Sequence, residues 1–241
     1  MPLEYATGLE PEKRQFRRQD EDAGHDFVSP LLLAKPSPYE LYDQSLQRFE
    51  QKCALRDYLD LYQCLASVVE REVPGDIAEF GSYKGHSGWL IGKTLEGLGS
   101  AKPVYLFDMF ESFPAESTGI DYFWTGTHQV HLQEVRSKMA ELPAVRLVPG
   151  EFERTVPESG LDQLALAFVD CDSYRAVKYL AESLFDKRLS PGGAMVFEDY
   201  GHPALLGCRV AVHEFFDGRT DCFGFFSQFS GLYVVVKLAA T

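Results

Sequence analysis

Residues 74–88 read PGDIAEFGSYKGHSG and combine a short apolar run with closely spaced glycines. Ile77, Ala78 and Phe80 form a short apolar run, which is typical of a strand buried on both faces. The run ends in closely spaced glycines, so the pattern predicts a strand, a tight turn and the start of a helix. Such a turn lets the backbone approach a ligand, and the acid at the strand end, Glu79, can accept bonds from hydroxyl or ammonium groups.

The spacing of this turn separates it from two well-known nucleotide motifs. It differs from the dinucleotide-binding G-x-G-x-x-G, and it lacks the Gly-Lys-Ser/Thr ending of the Walker A loop. NAD and ATP are therefore disfavoured as ligands. The glycines alone do not distinguish a ligand-binding turn from one that serves packing only.

The composition limits the size and surroundings of the protein. A chain of 241 residues with 45% hydrophobic content can form one large α/β domain. No apolar run approaches the roughly 20 residues that span a bilayer, and the charged N-terminus lacks the pattern of a signal peptide. We therefore expect a cytoplasmic protein with no membrane partner.

Cysteine content and charge exclude further classes. The five cysteines are scattered, with no C-x-x-C pair, and indicate neither a disulfide framework nor a zinc site. The formal net charge of −13 argues against nucleic acid, because binding to a phosphate backbone needs clustered Lys and Arg. A small molecule is the favoured partner.

The chain divides into an arm and a domain. Residues 1–38 are charged and lack a sustained apolar period, so we expect a flexible N-terminal arm. The apolar residues 31–33 leave open that this arm docks on a partner subunit and supports a homo-oligomer. Residues 39–241 are predicted as one domain, which opens with cover helices over residues 39–72.

Strand and helix patterns then alternate along the domain. Strands are predicted at residues 77–80, 104–107, 144–148, 164–169, 194–197, 223–229 and 232–236. Helices are predicted at residues 89–98, 134–140, 174–185 and 207–216. This order predicts an α/β fold: a seven-stranded, mostly parallel sheet with helices on both faces and a C-terminal antiparallel hairpin joined at Ser230-Gly231.

Acidic residues follow several predicted strands. Asp108 ends the second strand, where α/β nucleoside sites place the carboxylate that binds ribose hydroxyls, although a helix N-cap fits equally well. Asp170 and Asp172 follow the fourth strand, and Glu198-Asp199 follows the fifth. Carboxylates grouped at one sheet edge repel one another, and a divalent cation with oxygen ligands relieves the repulsion. Asp172 also suits a cap on the next helix.

Residues 121–133 are polar, aromatic and contain histidines. They lie between the second and third strands, on the side where α/β sheets bind ligands, so we predict a lid.

Six segments resemble, in the same order, the blocks of one protein family. They are VPGDIAEFGSYKGHS (73–87), LFDMFESFP (106–114), VRLVPGEFERTVP (145–157), LALAFVDCDSY (164–174), LSPGGAMVFEDY (189–200) and CRVAVHEF (208–215). The chain thus resembles the class I S-adenosylmethionine-dependent methyltransferases and, more narrowly, the macrocin O-methyltransferase family. The resemblance implies a Rossmann-like fold and metal-dependent methylation of a hydroxyl on a sugar or polyhydroxylated small molecule in natural-product or antibiotic biosynthesis.

The resemblance also implies roles for individual residues. Those around the methionine part of S-adenosylmethionine are Glu79, Gly81, Ser82, Tyr83, Gly85 and Ser87. Asp108 would bind the ribose, and Gly150 with Glu151 would lie near the adenine. The metal-ligand positions, for Mg²⁺ or another divalent cation, are Asp170, Glu198 and Asp199, which makes Asp170 part of the catalytic machinery.

The chain departs from the family pattern near the acids that follow the fourth and fifth strands. These acids, Asp170, Asp172, Glu198 and Asp199, are called the acidic edge below. Cys171 stands where the family more often has glycine, and Glu198 where it has aspartate. Ser173 occupies the place of a lysine in related catechol-type enzymes, so a base must come from elsewhere. We predict His128 or His131 of the lid, because imidazole exchanges a proton near physiological pH.

Two other classes of function use some of the same residues. A non-catalytic nucleoside or nucleotide-sugar binding module would keep Glu79 and Asp108 but would not need Glu198-Asp199. A metal-dependent hydrolase or hydroxylase would use the acids and would have no affinity for S-adenosylmethionine.

Overall fold

A computed structural model describes residue 34 and residues 37–114 and 120–239. Its helices are α1 (Pro38–Ser45), α2 (Leu55–Glu70), α3 (His86–Gly97), α4 (Leu132–Met139), α5 (Phe152–Glu158), α6 (Tyr174–Leu184) and α7 (Leu206–Phe216). Short 3-10 helices cover Ile120–Trp124 and Asp199–Gly201. The strands are β1 (Asp76–Phe80), β2 (Val104–Asp108), β3 (Val145–Pro149), β4 (Leu164–Val169), β5 (Leu189–Phe197), β6 (Cys222–Phe226) and β7 (Tyr233–Lys237).

The seven strands form one sheet in the order β3-β2-β1-β4-β5-β7-β6. β1 to β5 pair in parallel, and β7 lies antiparallel between β5 and β6. The predicted seven-stranded, mostly parallel sheet with a C-terminal antiparallel hairpin is confirmed. The strand order reverses between β1 and β4, and α/β sheets bind ligands at the carboxyl ends of strands at such a point.

Helices cover both faces of the sheet, as its central strands require. Ile77 of β1 packs on the face that carries α1, α2 and α3, whereas Ala78 and Phe80 pack on the face that carries α6 and α7. Every residue of β4 is buried. Continuous apolar strands of this kind are typical of parallel sheets with both faces covered.

His86, in the first turn of α3, joins the N-terminal cover to the body of the domain. Its Nδ1 accepts the backbone N–H groups of Lys52 and Cys53, both at 3.1 Å. The ring proton therefore sits on Nε2, which lies 2.7 Å from the Ser45 hydroxyl, and that hydroxyl donates in turn to the Tyr42 carbonyl at 2.6 Å. Burial lowers the pKa of His86 to about 4, so the ring is neutral at physiological pH.

The fifth strand begins earlier than predicted. Pro191-Gly192-Gly193 suggested a turn before a strand at 194–197, but β5 runs from Leu189 through these residues. The pairing of β5 with β4 shifts register here, and a Cβ on Gly193 would lie 2.8 Å from the Ala165 carbonyl oxygen. The glycine thus marks an irregularity where two backbones approach closely.

Two further segments differ from the prediction. Helix α5 was missed, because it is short and has Pro157 inside it. The predicted strand at 223–229 ends at Phe226, and β7 begins at Tyr233, so the hairpin is joined by a longer loop than Ser230-Gly231 alone.

Most of the predicted N-terminal arm, residues 1–38, lies outside the described residues. Pro38 is an exception: it is buried as the first residue of α1, whose N-cap Ser37 accepts a bond from the Glu40 N–H. The helical part therefore starts one residue before the predicted boundary. Within the described ranges, no helix is both long and apolar enough to cross a membrane.

Candidate active site

A cavity opens at the carboxyl edge of the sheet, above β1, β2 and β4. Its lining comes from the turn after β1 (residues 81–88, the glycine turn), the ends of β2, β3 and β4, the lid and the start of α6. The lining residues include Gly81, Tyr83, Asp108, His128, Gly150, Glu151, Asp170, Cys171, Asp172 and Ser173. The cavity thus collects residues that are far apart in sequence.

The glycine turn lies flat against the loop after β4. Gly81 has a φ of +98°, and a Cβ at this position would lie 1.6 Å from the Asp170 carbonyl oxygen. The Gly81 N–H donates to the Phe107 carbonyl at 2.9 Å, and the Asp170 N–H donates to the Phe80 carbonyl at 2.9 Å. Only glycine permits this approach, which places the turn directly beside the acidic edge.

Part of the predicted methionine site lies beneath the turn. Gly81 and Tyr83 line the cavity, whereas among the described lining residues Glu79, Ser82, Gly85 and Ser87 do not occur. Gly85, with a φ of +83°, is the N-cap of α3. All four of these residues are buried.

Glu79 is fully buried behind the turn, next to Gly88, where a Cβ would lie 2.9 Å from its Oε2. Within the described part of the chain, neither carboxylate oxygen of Glu79 nor the Ser82 hydroxyl has a hydrogen-bond partner. Burial raises the pKa of Glu79 to about 7. Unpaired buried polar atoms are costly, so this is a place where a polar ligand or water is needed.

Asp108 connects two loops at the cavity. Its Oδ2 accepts the Tyr83 N–H at 2.8 Å, and its Oδ1 accepts the Phe110 N–H at 2.7 Å. Burial raises its pKa. Each carboxylate oxygen can accept a second bond, so Asp108 can hold the turn and still bind ligand hydroxyls.

Gly150 and Glu151 form the wall of the cavity beyond Asp108. The Gly150 N–H donates to the Asp108 carbonyl at 2.9 Å, and Gly150 has a φ of +126°. Glu151 is the N-cap of α5, and it makes no side-chain cap bond among the described residues. Its exposed carboxylate therefore stays available to a ligand.

Three acids meet at the ends of β4 and β5. One carboxylate oxygen from each of Asp170, Glu198 and Asp199 lies within 4.8 Å of the others. Burial raises the pKa of Asp170 well above its usual range, that of Glu198 to about 9 and that of Asp199 to about 7. Repulsion from neighbouring acids adds to each shift, and for Asp199 the repelling acid is Asp172. Such a set of hard oxygen donors fits a divalent cation, whose charge would favour the ionised acids.

Asp172 faces the cavity and does not cap α6. The cap of α6 is Ser173, whose hydroxyl accepts the Ala176 N–H at 3.2 Å. Asp172 has a φ of +56°, a conformation that is uncommon outside glycine, and its N–H donates to Asp199 Oδ2 at 2.8 Å. The cap interpretation of Asp172 is therefore wrong, and the sequence signal that favoured it belongs to the next residue.

The two lid histidines differ in position. His128 lines the cavity, with its Nε2 at 3.8 Å from Asp172 Oδ2. His131 is exposed at the N-cap of α4 and is absent from the described cavity lining. The structure thus brings only His128 of the pair to the acidic edge.

The hydrogen bonds of His128 fix its proton. The Thr127 hydroxyl donates to the Trp124 carbonyl at 2.6 Å, so at 2.8 Å from His128 Nδ1 it can only accept. In neutral His128 the proton therefore sits on Nδ1, and Nε2 presents a lone pair towards Asp172. That is the form that a general base needs.

A family model, Macrocin-O-methyltransferase (TylF), matches residues 55–220. An 8-demethyl-8-(2,3-dimethoxy-α-L-rhamnosyl)-tetracenomycin-C 4'-O-methyltransferase of Streptomyces olivaceus is 32% identical over 169 residues, which are 65% of this chain and 63% of that protein. A mycinamicin III 3''-O-methyltransferase of Micromonospora griseorubida is 29% identical over 177 residues, 66% of each chain. The matched part of the chain spans a little under two thirds of the length of these relatives.

Solved structures share the fold. The O-methyltransferase NovP superposes with a TM-score of 0.67 at 23% identity, over 77% of this chain and 81% of that one. The calicheamicin methyltransferase CalS11 gives a TM-score of 0.61 at 18% identity, over 100% of this chain and 98% of that one. These likenesses confirm the predicted Rossmann-like methyltransferase fold. Because the family model matches more than half of its residues, the chain belongs to the macrocin O-methyltransferase family.

Proposed function

We propose that this protein is an S-adenosylmethionine-dependent O-methyltransferase. Its acceptor would be a hydroxyl of a sugar or polyhydroxylated small molecule in natural-product biosynthesis, and Mg²⁺ or another divalent cation would assist. One observation carries the proposal: a single cavity is lined by the glycine turn, Asp108 and Asp170, and one carboxylate oxygen of Asp170 lies within 4.8 Å of one from each of Glu198 and Asp199. A nucleoside-binding module would need only the first two.

The cofactor fits the polar groups at the turn. Gly81 and Tyr83 would border its methionine part, Asp108 would accept its ribose hydroxyls, and Gly150 with Glu151 would border the adenine. Glu79, Ser82, Gly85 and Ser87 would support this site from beneath, where the unpaired oxygens of Glu79 and Ser82 suit a buried water or an ammonium group.

The acidic edge supports the metal. Asp170, Glu198 and Asp199 would ligate it, and Glu198 supplies a longer carboxylate than the aspartate more common in the family. When bound, the cofactor supplies an activated methyl group, and the cation lowers the pKa of a hydroxyl oxygen that it contacts.

His128 is the residue that we propose as the base. Its Nε2 would accept the acceptor hydroxyl proton, while Nδ1 keeps its proton on the Thr127 hydroxyl. Asp172 would then stabilise the imidazolium from 3.8 Å. His131 does not share this position, because it is exposed at the N-cap of α4 and does not line the described cavity.

The acceptor class rests on two further observations. The name of the Streptomyces olivaceus relative describes a rhamnosyl-bearing substrate. The net charge of −13 also favours a neutral small molecule over nucleic acid.

Transfer of an isotopically labelled methyl group tests the proposal. The protein would be incubated with labelled S-adenosylmethionine and a panel of rhamnosylated and other glycosylated natural products. We expect label in at least one glycoside with Mg²⁺, and none with EDTA, because the acids need the cation. Labelling that persists in EDTA would remove the metal from the reaction, and His128→Ala with unchanged turnover would remove the base.

A further inference from the structure

Asp121 joins the lid to the body of the domain. It lies on the 3-10 helix Ile120–Trp124, and its side chain is buried. Its carboxylate accepts three bonds from the start of α6: the Ser173 hydroxyl at 2.8 Å, the Tyr174 N–H at 2.9 Å and the Arg175 N–H at 3.1 Å. These groups lie more than fifty residues away in sequence.

The bonds of Asp121 are not a substitute for a missing local cap. Helix α6 already has Ser173 as its N-cap, which accepts the Ala176 N–H. Asp121 accepts backbone N–H groups in the first turn of α6 that the Ser173 cap does not bind, and its charge lies at the positive end of the helix. A buried carboxylate with three donors fixes the lid at one place on α6.

The same loop is held from its other side by the acidic edge. Asp199 Oδ2 accepts the N–H groups of Cys171 at 3.2 Å and of Asp172 at 2.8 Å. Two carboxylates therefore hold the consecutive residues of this loop, one from the 3-10 helix that follows β5 and one from the lid. Asp172, in its left-handed conformation, lies between them.

Hydrogen bonds link the part of the lid around His128 to residues on either side of it. The Phe113 N–H donates to the Thr127 carbonyl at 2.8 Å, and the Val130 N–H donates to the Glu111 carbonyl at 2.8 Å. The Thr127 hydroxyl binds both the Trp124 carbonyl and His128 Nδ1. Trp124 lies on the same 3-10 helix as Asp121, so Asp121 and His128 belong to one segment, which starts at Asp121 and ends over the cavity.

We propose that Asp121 is a positioning residue that sets the distance between His128 of the lid and Asp172 of the loop after β4. Its effect on turnover rests on the proposed methyl transfer. Its hold on the lid does not, because that hold is a property of the protein alone.

Asp121→Asn tests the proposal with little change in shape. The amide keeps one acceptor oxygen but turns an NH₂ group towards donors that Asp121 now satisfies, so at least one bond is lost. We expect hydrogen exchange at the Phe113, Thr127 and Val130 amides to speed up about tenfold, with strands β1 and β4 unchanged. For an acceptor that is methylated in the panel, we expect kcat to fall about tenfold and the Kd of S-adenosylhomocysteine to change less than about threefold.

Glu214→Gln is the matched control. Glu214 also binds the first residue of α6, since its carboxylate accepts the Tyr174 hydroxyl at 2.8 Å, but it belongs to α7 and lies outside the lid. This variant should leave lid exchange and kcat as in the wild type.

The outcomes separate the two proposals. If the hydrogen-exchange rates of the lid amides in Asp121→Asn stay within twofold of the wild type, the role of Asp121 is overturned, whatever the activity. Faster lid exchange with unchanged kcat overturns the positioning role in the reaction. If no glycoside is methylated by the wild type, methyl transfer fails while the exchange result still decides the hold on the lid. If Asp121→Asn does not fold, Ser173→Ala removes one of the three bonds, and unchanged lid exchange in that variant overturns the hold.

Discussion

At the scale of single residues, Gly81 is the position with least room for change. A Cβ there would meet the Asp170 carbonyl oxygen at 1.6 Å, and the φ of +98° is strained for any other residue. We predict that Gly81→Ala lowers the free energy of unfolding by more than about 3 kcal/mol, since backbone must move in addition to the strain. Urea denaturation measures this.

Gly218→Ala controls for the strain alone. Gly218 has a φ of +79°, and no atom of the described residues lies within 4 Å of a Cβ placed there. Gly218→Ala should lower the free energy of unfolding by only about 1 kcal/mol. Equal losses in the two variants would show that contact with Asp170 does not matter.

Glu79 makes the folded protein less stable as the pH rises. Its pKa is about 7 in the folded protein against 4.5 in the unfolded chain, so the folded state binds the proton more tightly. Its contribution is complete below about pH 4.5 and is lost as the pH rises through about 7. Glu79→Gln stays neutral, so relative to the wild type it should gain about 3 kcal/mol in free energy of unfolding between about pH 4.5 and pH 8.

This prediction is checked by urea denaturation of both proteins across that pH range. A difference between variant and wild type that does not change with pH would mean that Glu79 is already paired when folded.

Residue types in the sequence predicted the acidic edge better than they predicted individual roles. Asp170, Glu198 and Asp199 come together because they end neighbouring parallel strands, which the strand pattern already indicates. The position of Asp172 depends on a left-handed backbone, and the burial of Glu79 depends on how the turn folds over it. Neither conformation has a signal in the residue types.

At the scale of elements, His86 holds the segment between α1 and α2 on α3. His86→Ala would leave the Lys52 and Cys53 N–H groups without their acceptor and open a cavity beside Phe49, whose ring centroid lies 5.7 Å from that of His86. We predict a loss of about 3 kcal/mol in the free energy of unfolding, measured by urea denaturation.

His131→Ala is the control for this change, because His131 is exposed and, among the described residues, makes no cap bond from its side chain. It should change stability by less than about 0.5 kcal/mol. If His86→Ala is as stable as the wild type, the packing of the N-terminal cover on α3 does not depend on the His86 ring.

Element boundaries were predictable where local signals and pairing agree. Strand β4 occupies the predicted residues 164–169, because a continuous apolar run ends directly in acids. Strand β5 was predicted too short, since Pro191-Gly192-Gly193 carries the local signal of a turn while pairing with β4 keeps it in the sheet. The start of β5 is therefore set by its pairing with β4, which cannot be predicted from the local composition.

At the scale of the whole molecule, the order of the strands creates the site. β1 pairs with β2 on one side and β4 on the other, so the glycine turn, Asp108 and Asp170 meet at one edge. Crossover helices on both faces leave that edge open. The alternation of strands and helices in the sequence was sufficient to predict this layout, whereas the seating of the lid depends on Asp121 bonds to a distant helix.

Calorimetric titration of S-adenosylhomocysteine into the protein tests whether the cavity binds a methyl-donor cofactor. We predict binding at one site, weakened at least about tenfold in Asp108→Ala, because that change removes the proposed acceptor for the ribose and the acceptor of the Tyr83 N–H. Asp162→Ala, which removes an exposed acid away from the cavity, should bind as the wild type does. If the wild-type protein does not bind S-adenosylhomocysteine, the proposed methyl transfer from S-adenosylmethionine is wrong.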